Sequence, residues 1–163
     1  FDNDLNKILS NIAKPSYLRL GIEEIPEGKK PSPYKPWRKI ENGNNGIIVA
    51  LGPLVGMIWD AVLKIPKENR PSLWAVCDLN VNNIPDDFFK NVNNEKLYVF
   101  EEHVAQGGLG MMLSHAIANK GISLKKYTHH HAFGYALSDF GSQNFHRRQS
   151  GLDKETIFKI FTN

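Results

Sequence analysis

The chain predicts an α/β sandwich built around a mostly parallel sheet. Three observations lead there. Short runs rich in β-branched and aromatic residues alternate with helical stripes from Gly46 onward. The runs are apolar throughout, as strands covered on both faces are. The stretch Tyr98–Gly110, YVFEEHVAQGGLG, then carries one such run through a carboxylate-bearing turn into a glycine-opened helix, which is half of a βαβ unit.

Taken in order, Leu5, Ile8, Leu9 and Ile12 form a helical stripe that Pro15 stops. Residues 27–45 combine prolines, lysines and glycines, a composition that favours an extended solvated crossing. Trp37 and Ile40 are the apolar groups that would anchor it, and Asn42–Gly46 supplies turn chemistry. Strands are predicted at Ile47–Leu51, Leu73–Cys77, Lys96–Phe100 and Ser123–Tyr127. Helices are predicted at Leu54–Leu63, with a stripe of Val55, Ile58 and Val62, and at Asp86–Val92. A longer one runs over Gly108–Asn119, where Leu109, Met112, Leu113, Ala116 and Ile117 make one buried face. Asp153 caps a last helix that buries Ile157, Ile160 and Phe161.

Composition bounds the function. A chain of 163 residues buries enough surface for one ordinary core plus a leader. The net charge of +3 is spread among interleaved acids and bases, so no nucleic-acid stripe is indicated. Lys29-Lys30 and His146-Arg147-Arg148 read as solvated basic clusters. The single cysteine, Cys77, cannot form an internal disulfide; it reads as a buried, inert thiol, and a reducing, cytoplasmic setting is expected. No run has the apolar length of a membrane span, so no membrane partner is expected.

Candidate chemistry gathers beyond the carboxyl ends of the strands, where Asp78, Glu101, Glu102 and His103 lie. Two carboxylates and an imidazole suit acid–base work or a divalent ion; equally, they suit satisfying turn backbone or a partner surface. Gly107, Gly108 and Gly110 permit either close helix–sheet packing or an anion at the helix start. The dinucleotide pattern G-x-G-x-x-G fails at Leu113, which favours packing. His129-His130-His131 invites a metal, but consecutive side chains diverge and the spacing of a structural zinc site is missing, so no metal is assigned. No Gly-x-Ser-x-Gly occurs and Cys77 has no positioned histidine, so no catalytic nucleophile is assigned either.

Glu101-Glu102-His103 followed by Gly107-Gly108-Leu109-Gly110, with Phe140–Gln143 (FGSQ) and Gly151–Ile157 (GLDKETI) later, resembles the C-terminal domain of transketolase-type thiamine-diphosphate enzymes. That group includes transketolases, deoxyxylulose-phosphate synthases and 2-oxo acid dehydrogenase beta subunits. Pro15–Gly21 (PSYLRLG) is similar to the strand that closes their middle, pyrimidine-binding domain. The resemblance implies a five-stranded mixed sheet with one antiparallel member. It divides the chain into the end of a middle domain (1–26), a linker (27–45) and the C-terminal domain (46–163), so that a chain opening at Phe1 starts inside a larger protein.

In such enzymes thiamine diphosphate and Mg are held by an N-terminal Gly-Asp-Gly motif with a downstream Asn, and a middle-domain glutamate activates the cofactor. None of these is identifiable here, so the resemblance implies no cofactor bound by this chain and no catalysis by it alone. Arg19 is the substrate-channel candidate it implies. Ile22 stands where many sugar-phosphate-using members carry a second arginine, which puts phosphate binding there in doubt. Glu101, Glu102, His103, Gly107, Gly108 and Gly110 are the interdomain or dimer-interface candidates. The implied partners are the N-terminal and middle domains and a second copy in a homodimer. The alternative reading is an independent doubly wound module holding a small anion or nucleotide near Gly52, Asp78 and Gly107; a third is a split enzyme with its halves on separate chains.

Overall fold

The computed structural model describes Ser10, Pro15 and residues 25–134 and 140–162. The helical stripe Leu5–Ile12, the Pro15–Gly21 strand and Arg19 lie outside or almost wholly outside the described residues. The sheet has five strands in the order β1-β3-β2-β4-β5. They are β1 (Trp37–Glu41), β2 (Ile47–Leu51), β3 (Ser72–Val76), β4 (Glu95–Phe100) and β5 (Leu124–His130). β2 pairs in parallel with β3 and β4, β4 pairs in parallel with β5, and β1 runs antiparallel along β3. The helices are α1 (Leu54–Lys64), α2 (Asp86–Val92), α3 (Leu109–Asn119), α4 (Gln143–Gln149) and α5 (Lys154–Thr162).

The uniformly apolar strands are covered on both faces, as their composition requires. Ile47, Val49, Trp74, Val76, Leu97 and Val99 face α2 and α3, where they meet Phe88, Leu113 and Ile117. Their neighbours Ile48, Ala50, Leu73, Tyr98 and Phe100 face α1 and α5, where they meet Ile58, Val62, Ile157 and Phe161. Asp153 caps α5 as its position predicts, accepting from the N–H groups of Glu155 (3.0 Å) and Thr156 (3.2 Å). Burial alone would raise the Asp153 pKa; the Thr156 hydroxyl and these backbone donors outweigh it and hold the carboxyl below its usual range.

Four sequence expectations need correction. Trp37–Glu41 is a strand inside the stretch read as a crossing, and Trp37 is core, 4% exposed, against Phe88. A proline- and lysine-rich approach masks a five-residue strand whose pairing along an edge costs no proline donor. The last strand runs to His130, because it pairs in parallel with β4 up to Phe100. Cys77 is exposed, since β3 ends at Val76 and the thiol falls in the turn beyond it. Finally, Arg147 is 8% exposed rather than solvated, and sits on α4.

Candidate functional site

The strand order reverses between β2 and β4, and the loops after those two strands form the crevice where open α/β sheets carry their ligands. Glu101 follows β4 there. It is wholly buried, yet ends a strand with no room to reach solvent. Its carboxylate turns back onto the start of α3, where Oε2 accepts the Leu109 N–H at 2.8 Å and Oε1 accepts the Gly110 N–H at 2.8 Å. The first N–H groups of a helix have no partner within it, and a carboxylate satisfies two of them while meeting the positive end of the helix dipole. Gly108, at the N-cap, has no side chain to do this itself.

A third donor comes from β5. His129 Nε2–H donates to Glu101 Oε1 at 2.6 Å, and the imidazole is 16% exposed. Tyr127, two residues earlier on the same face of β5, donates its hydroxyl to the Gly110 carbonyl at 2.5 Å. Burial first, and then the Glu101 carboxylate, push the Tyr127 hydroxyl upward in pKa, which keeps it a donor.

The glycines follow from this cluster. A Cβ on Gly108 would stand 2.3 Å from Glu101 Oε2, and one on Gly110 would stand 2.4 Å from the His129 ring. Close packing is therefore the role of Gly108 and Gly110, against a carboxylate and an imidazole rather than a phosphate. The anion at this helix start is the chain's own, and it takes the position a nucleotide phosphate would need.

The remaining predicted residues divide. Glu102 accepts from Arg147 Nε at 2.6 Å and from Gln143 Nε2 at 3.0 and 3.2 Å, which ties the loop after β4 to α4. His103 is exposed, its Nδ1 2.9 Å from the Val104 carbonyl. Gly107 is exposed, whereas Gly108 and Gly110 are buried. Asp78 accepts from the Asn80 N–H (2.9 Å) and Asn83 Nδ2 (2.6 Å), closing its own loop. Glu101, Glu102 and His103 thus do not converge on one centre. The sequence reading missed Tyr127, His129, Gln143 and Arg147. Strand parity was the available signal for the first pair, since residues two apart share a face; nothing local marks Arg147.

His130 lies on the opposite face of β5, stacked on Phe100 with ring centroids 4.4 Å apart and planes 5° from parallel. Burial, followed by the neighbouring charges of His129, Lys126 and His131, lowers its pKa from 6.5 to about 4. Among the described residues no group of three or more His, Cys, Asp or Glu side chains is arranged to hold a metal ion. No helix among them is long and apolar enough to cross a membrane.

No family model matches the chain. One subunit of the apulose-4-phosphate transketolase of Actinobacillus succinogenes is 28% identical over 163 aligned residues, which cover 92% of this chain and 49% of that protein. Among solved structures, a split-gene transketolase in the form of an inactive beta4 tetramer superposes with a TM-score of 0.70 at 20% identity, over 95% of this chain and 51% of that one.

The domain is transketolase-like. Its five-stranded mixed sheet with flanking helices is the C-terminal fold of that group, as the EEH, GGLG and GLDKETI segments led one to expect. The transketolase-like chain spans about half the length of the curated relative it matches. In this transketolase-like domain, then, EEH and GGLG are two halves of one internal contact: the first glutamate and the two buried glycines meet at the start of α3.

Proposed function

We propose that this chain is the C-terminal part of a transketolase-type enzyme and that its own work is architectural. The observation that carries the reading is the Glu101 cluster. At the crevice of the sheet, the carboxylate best placed for chemistry is spent on two helix N–H groups and an imidazole. Such a group fixes a turn and leaves nothing to react. Catalysis in the whole enzyme is then two-carbon or acyl-unit transfer carried by thiamine diphosphate with Mg, which other domains hold. The cofactor supplies the carbanion chemistry; this chain contributes packing.

The partners in this reading are the N-terminal and middle domains, on the same chain or a separate one, and a second copy of the chain. Glu102, His103 and Gly107 border the surface concerned, with Glu101, Gly108 and Gly110 shaping the turn beneath it. Val104 is 36% exposed and Phe133 64%, and Val104 lies beside Gly134, so apolar surface stands next to His103. The split-gene relative supports the reading in its own description, a beta4 tetramer that is inactive. Residues 1–26 would close the middle domain, with Arg19 at the substrate channel.

The test is the intact mass of the protein from its native source, together with whatever co-purifies. A species heavier than 163 residues account for, or a second chain in stoichiometric complex, agrees with the proposal. A native protein of this length alone that transfers a two-carbon unit from a ketose donor overturns it.

A further inference from the structure

The argument that consecutive histidines diverge holds for His130 and fails for its neighbours. His129 and His131 are two residues apart at the end of β5 and emerge on one face, with ring centroids 4.8 Å apart and planes inclined by 55°. His130 is turned to the other face against Phe100. Two imidazoles bound to one ion through nitrogens at about 2.0–2.1 Å have centroids on the order of 5 Å apart. The observed spacing falls in that range.

Each ring is also tied by one nitrogen. His129 Nε2 is held by the buried Glu101 carboxylate at 2.6 Å, and His131 Nδ1 lies 3.0 Å from the Ala132 carbonyl. These contacts place the protons on those nitrogens and put the lone pairs on His129 Nδ1 and His131 Nε2. A carboxylate or carbonyl behind the far nitrogen is the outer-shell arrangement that orients a metal-bound imidazole and raises its basicity. Both side chains are half-buried, so an ion would meet little loss of side-chain freedom and still be reached from solvent.

We propose that His129 and His131 form a two-imidazole site for a borderline divalent transition ion such as Zn²⁺, Ni²⁺ or Cu²⁺, with Glu101 as its orienting carboxylate. Hard ions such as Mg²⁺ and Ca²⁺, which take oxygen ligands, are excluded by the donor set. Two protein ligands leave the rest of the shell to water. The site does not depend on the parent reaction, and it is separate from thiamine-diphosphate chemistry.

Calorimetric titration of the full chain with Zn²⁺, beside Mg²⁺ as a control, tests this. One Zn²⁺ per chain is expected, with no heat from Mg²⁺. His131→Ala should weaken Zn²⁺ binding by about tenfold or more, while His130→Phe, which keeps a ring on Phe100, should leave it unchanged. Circular dichroism of each variant establishes that it is folded. Absence of Zn²⁺ binding by the folded wild-type chain overturns the proposal. So does an equal loss in His130→Phe and His131→Ala, which would describe a flexible triplet acting like a tag.

Discussion

Replacing Glu101 by glutamine tests the cluster with the least change of shape. The carboxylate has no solvent contact and accepts three hydrogen bonds, at 2.8, 2.8 and 2.6 Å. Glutamine keeps one acceptor oxygen. The better orientation leaves that oxygen at the Oε1 position, serving Gly110 and His129, and turns the amide NH₂ toward the Leu109 N–H. Two donors then face each other in a site closed to water. A buried N–H left without a partner costs about 1–3 kcal/mol, and each remaining bond weakens from charge-assisted to neutral. Removing a buried charge gives some of this back through desolvation, since an ion taken out of water is itself unfavourable. With three donors in place around the carboxylate, the lost acceptor outweighs that gain. The expected net loss is about 2 kcal/mol for Glu101→Gln and about 3–5 kcal/mol for Glu101→Ala, which strands all three donors. Urea unfolding followed by circular dichroism measures it: the midpoint should fall with the slope unchanged. A Glu101→Gln protein within about 0.5 kcal/mol of the parent would refute the claim that this carboxylate holds the start of α3.

Other outcomes follow from the same contacts. Gly110→Ala puts a methyl into the His129 ring and should cost about 1–3 kcal/mol in the same urea assay, because the ring is pinned by Glu101 and cannot move aside freely. Arg147→Ala removes the partner of Glu102 and should cost about 1–3 kcal/mol, a loss that high salt does not mimic since Arg147 is buried. His130 has a folded-state pKa of about 4 against an ordinary 6.5, so the unfolded chain binds the extra proton first. Stability should therefore be fully present above about pH 6.5 and fall as pH drops toward 4, and His130→Phe should flatten that slope in pH-dependent thermal melts. Cys77, exposed beyond β3, should react stoichiometrically with a thiol reagent in the native protein.

The fold was legible because its strands are uniformly apolar and its helices carry clear stripes. The predicted α2 range coincides with the structure, as does β2, and α1, β4 and α3 differ by one residue at an end. β1 was not legible as a strand. Five residues that alternate little, after a run of prolines and lysines, have no local signature, and Trp37 becomes core only because β3 and Phe88 receive it. The site was half legible. Glycines at 108 and 110 announced a close approach, but the groups approaching them come from the turn after β4 and from the end of β5. That pairing follows from the β4–β5 register, a property of the sheet and not of either segment. Arg147 was misjudged for the same reason: a basic triplet looks solvated until a carboxylate 45 residues upstream is folded against it.

The central claim is that this transketolase-like chain shapes an enzyme without holding its cofactor. Calorimetric titration of the full chain with thiamine diphosphate and Mg²⁺ tests it most directly. The account predicts no saturable binding of thiamine diphosphate, with or without Mg²⁺. Tight, stoichiometric binding of the cofactor by this chain alone would contradict it.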